Sequence, residues 1–160
     1  MIQMPSLALA AQKIAGFEEF RAKPYRDAIG LPTIGYGTTH YPDNRPVAMI
    51  DASISEEAAL AFLKHDLNDC ALHLWKFIRR QPTLHQWSAM LSLTYNEGWP
   101  AISKSTLVTM FNSGEPVDIV AAQFIRWDKA RIDGELVEIP GLLSRRRAEA
   151  ALFLTPDGAV

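Results

Sequence analysis

Between Pro24 and Pro46 the chain sets four prolines and three glycines, Gly30, Gly35 and Gly37 among them. No helix survives that density of breakers. Thr33-Ile34 and the aromatic Tyr36 favour extended backbone, so the segment from about 24 to 50 reads as a small antiparallel sheet of short hairpins. On either side the pattern is helical. Leu7, Ala10, Ala11, Ile14 and Phe17 recur at helical spacing behind a capping Ser6, giving a helix from Leu7 to about Phe20. Ser55, followed by Glu56 and Glu57, caps a long helix whose apolar stripe is Leu60, Leu63, Leu67, Cys70, Leu74 and Phe77. Beyond Pro82 the segments 83–95, 104–113, 117–127 and 142–154 read as four more helices, with Gly98, Gly114 and Gly134 as breakers in the gaps.

The expected fold is therefore α+β and mostly helical: two lobes, one a small antiparallel sheet and one a helical bundle, joined by a long helix. The sheet lobe should cover about 21–54, the linking helix about 55–78, and the helical lobe about 79–160 packed with the N-terminal helix, all as one catalytic domain without a separate wall-binding module. A cleft is expected where the sheet lobe faces the bundle. The length of 160 residues suffices for such a core. With Cys70 as the single cysteine no internal disulfide can help, which suits a reducing cytoplasm, and its place on the apolar stripe reads as core. Ala8-Leu9-Ala10 imitates a signal-peptidase site, but no lysine or arginine precedes it and the apolar run is too short. No stretch is long and apolar enough to span a bilayer. A net charge of −2 argues against a nucleic-acid partner, although Arg126, Lys129, Arg131, Arg145, Arg146 and Arg147 gather in the last third.

Glu18 is the residue that breaks the pattern. It falls beside the apolar stripe of the first helix, where glutamate rarely sits without a reason. Asp27 follows in a polar turn, and Thr33 enters the next strand. Hydrolysis of a glycosidic bond needs an acid for the leaving oxygen and a second carboxylate to activate water or stabilise the sugar cation. Two carboxyl groups in unlike surroundings, one apolar and one polar, divide those tasks. A threonine hydroxyl can hold the water. Spacing alone also admits plainer readings: Asp27 as a turn residue, Thr33 as a strand residue, Glu18 as an ion-pair partner of Arg21 or another arginine.

The surrounding residues narrow the choice. Phe17-Glu18-Glu19-Phe20-Arg21-Ala22-Lys23-Pro24-Tyr25-Arg26-Asp27, followed by Gly30-Leu31-Pro32-Thr33-Ile34-Gly35-Tyr36-Gly37, closely resembles the phage-type lysozymes, the endolysins of glycoside hydrolase family 24. The resemblance continues through Tyr95-Asn96-Glu97-Gly98, Ser105-Thr106-Leu107, Gln123-Phe124-Ile125-Arg126-Trp127 and the closing helix with Gly141-Leu142, Arg145-Arg146 and Ala148-Glu149. It implies a lysozyme-like fold and hydrolysis of the β-1,4 bond between N-acetylmuramic acid and N-acetylglucosamine in peptidoglycan. It further implies inversion, with no metal or cofactor, and lysis of a bacterial host. In that scheme Glu18 is the general acid, Asp27 the catalytic aspartate and Thr33 the water-positioning residue. Arg145 matches the arginine that pairs with the glutamate, and Tyr95, Asn96, Thr106 and Trp127 match positions lining the cleft. Synthesis in the host cytoplasm as a monomer, release by a holin-type membrane protein and action on the periplasmic wall follow from the same resemblance.

Three positions depart from the family pattern. Glu19 replaces a usual glycine, Thr38 replaces a frequent histidine and should affect stability rather than activity, and the stretch His40–Asp51 is longer than in the shortest relatives. Other motifs fall short. Gly35-Tyr36-Gly37 lacks the third glycine and following helix of a dinucleotide site. His40, His65, His73 and His85 lack zinc spacing. Arg145–Arg147 reads as a solvated or ion-paired helix face. A lytic transglycosylase would need no general base, which the presence of Asp27 and Thr33 disfavours. An inactive wall-binding or virion structural protein would need none of the three residues.

Overall fold

The computed structural model describes residues 1–158. Seven helices and two small antiparallel sheets make up the described chain. In order these are α1 (Ala8–Phe17), β1 (Arg21–Arg26), β2 (Pro32–Gly35), α2 (Glu56–Trp75), α3 (Leu84–Glu97), α4 (Trp99–Ser103), α5 (Thr106–Ser113), α6 (Val117–Ala122), a 3₁₀ turn (Phe124–Trp127), β3 (Lys129–Ile132), β4 (Glu135–Glu138) and α7 (Pro140–Leu154). They form two compact units: residues 11–69, and residues 1–10 together with the chain from Cys70 onward.

In the first unit, β1 and β2 pair antiparallel with Arg21 opposite Gly35, Tyr25 opposite Thr33 and Arg26 opposite Pro32. The register slips between Arg21 and Tyr25, and Pro24 lies in that irregular stretch. A residue with no N–H to give the ladder is accommodated by such a bulge, so Pro24 sits inside a strand instead of ending one. The hairpin is pinned to α2 at two places. Tyr36 Oη donates to Glu56 Oε1 at 2.8 Å. Gly35 adopts φ +65°, and a Cβ on it would lie 2.9 Å from the Cβ of Ala59. Only glycine satisfies both the backbone and the close approach.

Helix α2 starts at the expected cap, with Ser55 Oγ accepting from the Ala58 N–H at 3.1 Å. Its buried stripe differs from the one read from sequence. Ala59, Leu63, Leu67, Ala71 and Leu74 are fully buried, while Leu60 and Cys70 are half-buried. The helix stops at Trp75, so Phe77 belongs to the following turn and Ile78 carries the burial on. Two small alanines hold places on the buried face that bulkier neighbours had been assigned.

The second unit is built around α3, whose residues Trp87–Thr94 are all buried, as befits a helix enclosed on every side. A capping box opens it: Thr83 Oγ1 accepts from Gln86 N–H while Gln86 Oε1 accepts from Thr83 N–H. Two elements are additions to the sequence reading. Gly98 turns at φ 92° into the one-and-a-half-turn helix α4, and the chain after Trp127 forms the β3–β4 hairpin instead of continuing as a coil between helices. The residues expected as one helix over 117–127 divide into α6 and a tighter 3₁₀ turn. Of the two readings of 145–147, the ion-paired one holds for Arg145 and Arg146, which are buried and paired with Glu149, and the solvated one only for the exposed Arg147.

Candidate functional site

The three residues singled out as catalytic lie within sixteen residues of one another, all in the 11–69 unit. Glu18 follows the last residue of α1, and its N–H still bonds to the Ile14 carbonyl at 2.8 Å, so the side chain leaves from a helical turn. It is half-buried. Asp27 follows β1 and organises the hairpin loop. Its Oδ1 accepts from the backbone N–H groups of Ile29 at 3.0 Å and Leu31 at 2.9 Å. Its own N–H donates to the Leu31 carbonyl at 3.0 Å and its carbonyl accepts from Gly30 at 2.9 Å. An aspartate is the residue for this task, since its short side chain reaches backbone N–H groups two and four residues ahead. Arg26 Nη1 closes the far side on the Gly30 carbonyl at 2.9 Å.

Thr33 stands on β2 with its side chain buried. Its Oγ1 donates to the Leu31 carbonyl at 2.9 Å. Leu31 therefore meets both partners: its N–H goes to Asp27 Oδ1 and its carbonyl takes the Thr33 hydroxyl proton. Two consequences follow. With its proton committed, Thr33 Oγ1 faces any further partner as an acceptor. With Oδ1 saturated by two amides, Asp27 has Oδ2 for any further partner.

Tyr25, opposite Thr33 in the ladder, carried no assigned role in the sequence reading. Burial pushes its phenol above the ordinary value of 10, the Glu18 carboxylate pushes it further, Arg21 opposes, and Asp27 and Glu19 add to the rise. The ring thus lies in the field of both candidate carboxylates and stays a protonated donor at neutral pH. Its position two residues before Asp27 on an alternating strand was the available signal. Glu19, the departure beside the acid, is largely exposed and pairs with Arg21 at 3.6 Å. Thr38 is fully buried, exchanges both backbone hydrogen bonds with Ile34, and leaves Oγ1 without a partner among the described residues.

The remaining candidates belong to the second unit. Tyr95 and Asn96 lie in the last turn of α3, Thr106 opens α5, and Trp127 ends the 3₁₀ turn. Asn96 and Trp127 share a cavity of about 540 Å³, and Thr106 and Trp127 share a neighbouring one of about 240 Å³. Behind them sits a buried ionic cluster. Arg146 Nε donates to the Trp127 carbonyl at 2.9 Å, Nη1 to Glu149 Oε2 at 2.8 Å, and Nη2 to Glu97 Oε1 at 2.8 Å and to Asn96 Oδ1. Glu149 Oε1 in turn accepts from Ser92 Oγ at 2.6 Å and Arg145 Nε at 3.1 Å. Arg145 Nη2 reaches the Ser92 carbonyl at 3.3 Å. Arg146 and Glu149 carry this cluster, and nothing in the sequence pattern marks them as structure-bearing. Their spacing of three on one helix was visible, their burial was not.

No group of three or more histidine, cysteine, aspartate or glutamate side chains among the described residues is arranged to hold a metal ion. Comparison with known proteins sets this geometry in a family. The sequence profile described as "Phage lysozyme" matches residues 15–149. The chain is 36% identical over 140 residues to an endolysin of Acyrthosiphon pisum secondary endosymbiont phage 1, covering 88% of this chain and 91% of that protein. The solved endolysin from Escherichia coli O157:H7 phage FAHEc1 superimposes with a TM-score of 0.87 at 33% identity, covering 96% of this chain and 94% of that one. The muramidase domain of SpmX from Asticaccaulis excentricus does so with a TM-score of 0.81 at 27% identity, covering 98% and 100%.

Proposed function

The chain belongs to the phage lysozyme family, and on that premise we propose that Glu18 is its general acid, Asp27 its water-activating carboxylate and Thr33 the residue that orients the water. The protein is a glycoside hydrolase, an endolysin-type muramidase that cuts the β-1,4 bond between N-acetylmuramic acid and N-acetylglucosamine in bacterial peptidoglycan. The observation that carries the residue assignment is the double use of Leu31. Because its carbonyl holds the Thr33 proton and its amide saturates Asp27 Oδ1, one water can donate one hydrogen bond to Asp27 Oδ2, which takes that proton as the water attacks, and a second to Thr33 Oγ1, the second proton staying on the product hydroxyl. Its remaining lone pairs then turn away from both, toward the anomeric carbon. Glu18, arriving from the helix end, protonates the leaving oxygen on the other face. Attack opposite to departure inverts the anomeric centre.

Tyr95, Asn96, Thr106, Trp127 and Arg145 are the proposed substrate-binding and supporting set of the helical unit. No helix among the described residues is long and apolar enough to cross a membrane. We propose synthesis in the host cytoplasm, a monomeric state, and release to the wall by a separate holin-type membrane protein.

The test is Glu18→Gln, which keeps the size and removes the transferable proton. Clearing of permeabilised bacteria should fall at least about 10²-fold with the circular dichroism spectrum unchanged. A folded variant retaining more than a tenth of the wild-type rate would remove Glu18 from the role of acid. Rapid NMR of the wild-type reaction should show the α-anomer first, and a β-anomer would refute inversion.

A further inference from the structure

Tyr25 stands among the proposed catalytic residues without a task in the chemistry above. It is paired across the ladder with Thr33 and precedes Asp27 by two residues. The 11–69 unit holds two other tyrosines, and both spend their hydroxyls on carboxylates. Tyr36 Oη donates to Glu56 Oε1 at 2.8 Å, and Tyr41 Oη to Asp51 Oδ2 at 2.9 Å. Tyr25 differs from them. Burial and the nearby Glu18 carboxylate, not a bonded partner, keep its phenol protonated. A half-buried hydroxyl that holds its proton and has no acceptor among the described residues is available as a donor.

Its ring is held in place from β1 itself. On a regular strand Arg21 and Tyr25 would lie about 13 Å apart, and side chains standing perpendicular to the sheet would not stack. Here the four steps from Arg21 to Tyr25 on β1 stand against only the two from Gly35 to Thr33 on β2. The strand is gathered up around Pro24, and the guanidinium carbon of Arg21 comes to lie 4.7 Å from the centre of the Tyr25 ring. Arg21 is met in turn by Glu19, Nη2 to Oε2 at 3.6 Å. The two side chains are 50% and 82% exposed, so this pair adds little to stability; what it does is limit where the guanidinium rests. Glu19 replaces the glycine usual in the family, so the arrangement depends on a residue particular to this chain.

We propose that Glu19, Arg21 and Tyr25 form a substrate-positioning brace: Glu19 holds Arg21, Arg21 holds the Tyr25 ring, and the Tyr25 hydroxyl donates a hydrogen bond to the sugar seated between Glu18 and Asp27. Sugars present neutral hydroxyl and acetamido oxygens, acceptors that an ionised carboxylate cannot serve and a phenol can. The bond goes to the bound sugar and to neither the attacking water nor the leaving oxygen. It is made equally before and during the reaction, so it acts on affinity and not on the chemical step. The proposal rests on Glu18 and Asp27 being the catalytic carboxylates.

Steady-state cleavage of soluble peptidoglycan strands tests it. Tyr25→Phe keeps the ring and should raise KM at least about fivefold, the loss of one neutral hydrogen bond, with kcat within about twofold. Arg21→Gln should raise KM about threefold, and Arg21→Lys, which keeps the cation, should recover part of that loss. Glu19→Gly should raise KM about twofold. In a protein already carrying Tyr25→Phe, Arg21→Gln should change KM no further, because Arg21 acts through the position of the hydroxyl. Unchanged kinetics in Tyr25→Phe overturn the proposal. So does a fall in kcat at constant KM, which would make Tyr25 a prop for Asp27 and Thr33 instead of a contact to the sugar. An Arg21→Gln effect that persists without the hydroxyl would overturn the brace. Near wild-type activity of Glu18→Gln would instead overturn the carboxylate assignment on which all of this rests.

Discussion

Replacing Asp66 by asparagine should stabilise the protein at neutral pH and lose that advantage near pH 4. Asp66 lies on α2, half-buried, and burial is the chief reason its carboxyl is pushed from an ordinary 3.8 up to about 6. His65 and His40 pull it down and Asp69 pushes it up, but they do not offset the loss of water. The folded state therefore binds a proton that the unfolded chain has already released between about pH 4 and pH 6. Stability falls as pH rises through that window and levels off above it. A rise from 3.8 to about 6 corresponds to about 3 kcal/mol in full linkage. Asp66 keeps part of its contact with solvent, so screening reduces this to about 1–2 kcal/mol. Urea unfolding of wild type and Asp66→Asn at pH 4 and pH 7.5 measures it. Any fixed cost of burying the amide is common to both conditions and cancels in the difference. An advantage of the same size at both pH values would show that the charge on Asp66 is not what the fold resists.

Thr38→Val should stabilise by about 1 kcal/mol in thermal unfolding, because it removes a buried hydroxyl that has no partner while keeping the β-branched shape. Lytic activity should stay within twofold; a destabilised variant would mean that Thr38 Oγ1 is satisfied in solution. Glu149→Ala should cost about 3–5 kcal/mol, since it leaves the buried guanidinium of Arg146 short of a counter-charge. A loss below about 1 kcal/mol in urea titration would show that Glu97 alone suffices.

The parts of the molecule that could be read from sequence share a physical property: their structure closes over short stretches of chain. Asp27 and Thr33 are joined through hydrogen bonds spanning two to four residues, so turn chemistry and a local motif carried the reading. The helices with wide leucine-rich stripes were legible for the same reason. The β3–β4 hairpin was not, although Asp133-Gly134 at φ 50° and 83° is the dipeptide that a tight hairpin demands. Its strands are almost wholly exposed, so no buried alternation flanked the turn and Gly134 passed as a simple breaker. The five residues of α4 are too few for any period to show. Arg146 and Glu149 were hidden for a deeper reason. A charged residue reads as surface until the partners that neutralise it are known, and Glu97 and Trp127 are 49 and 19 residues away from Arg146.

That separation has a consequence for how the helical unit assembles. Arg146 draws together the end of α3, the 3₁₀ turn and α7, and none of these is a neighbour of the others in the chain. A partly assembled intermediate that has docked α7 but not yet the end of α3 would bury the guanidinium with only some of its acceptors, and desolvation would go uncompensated. Such an intermediate is penalised relative to both the open chain and the finished unit. The ionic cluster acts as a checkpoint on cooperativity: these three segments should gain and lose protection from hydrogen exchange together, as one foldon, and proteases should find no stable half-folded form to cut.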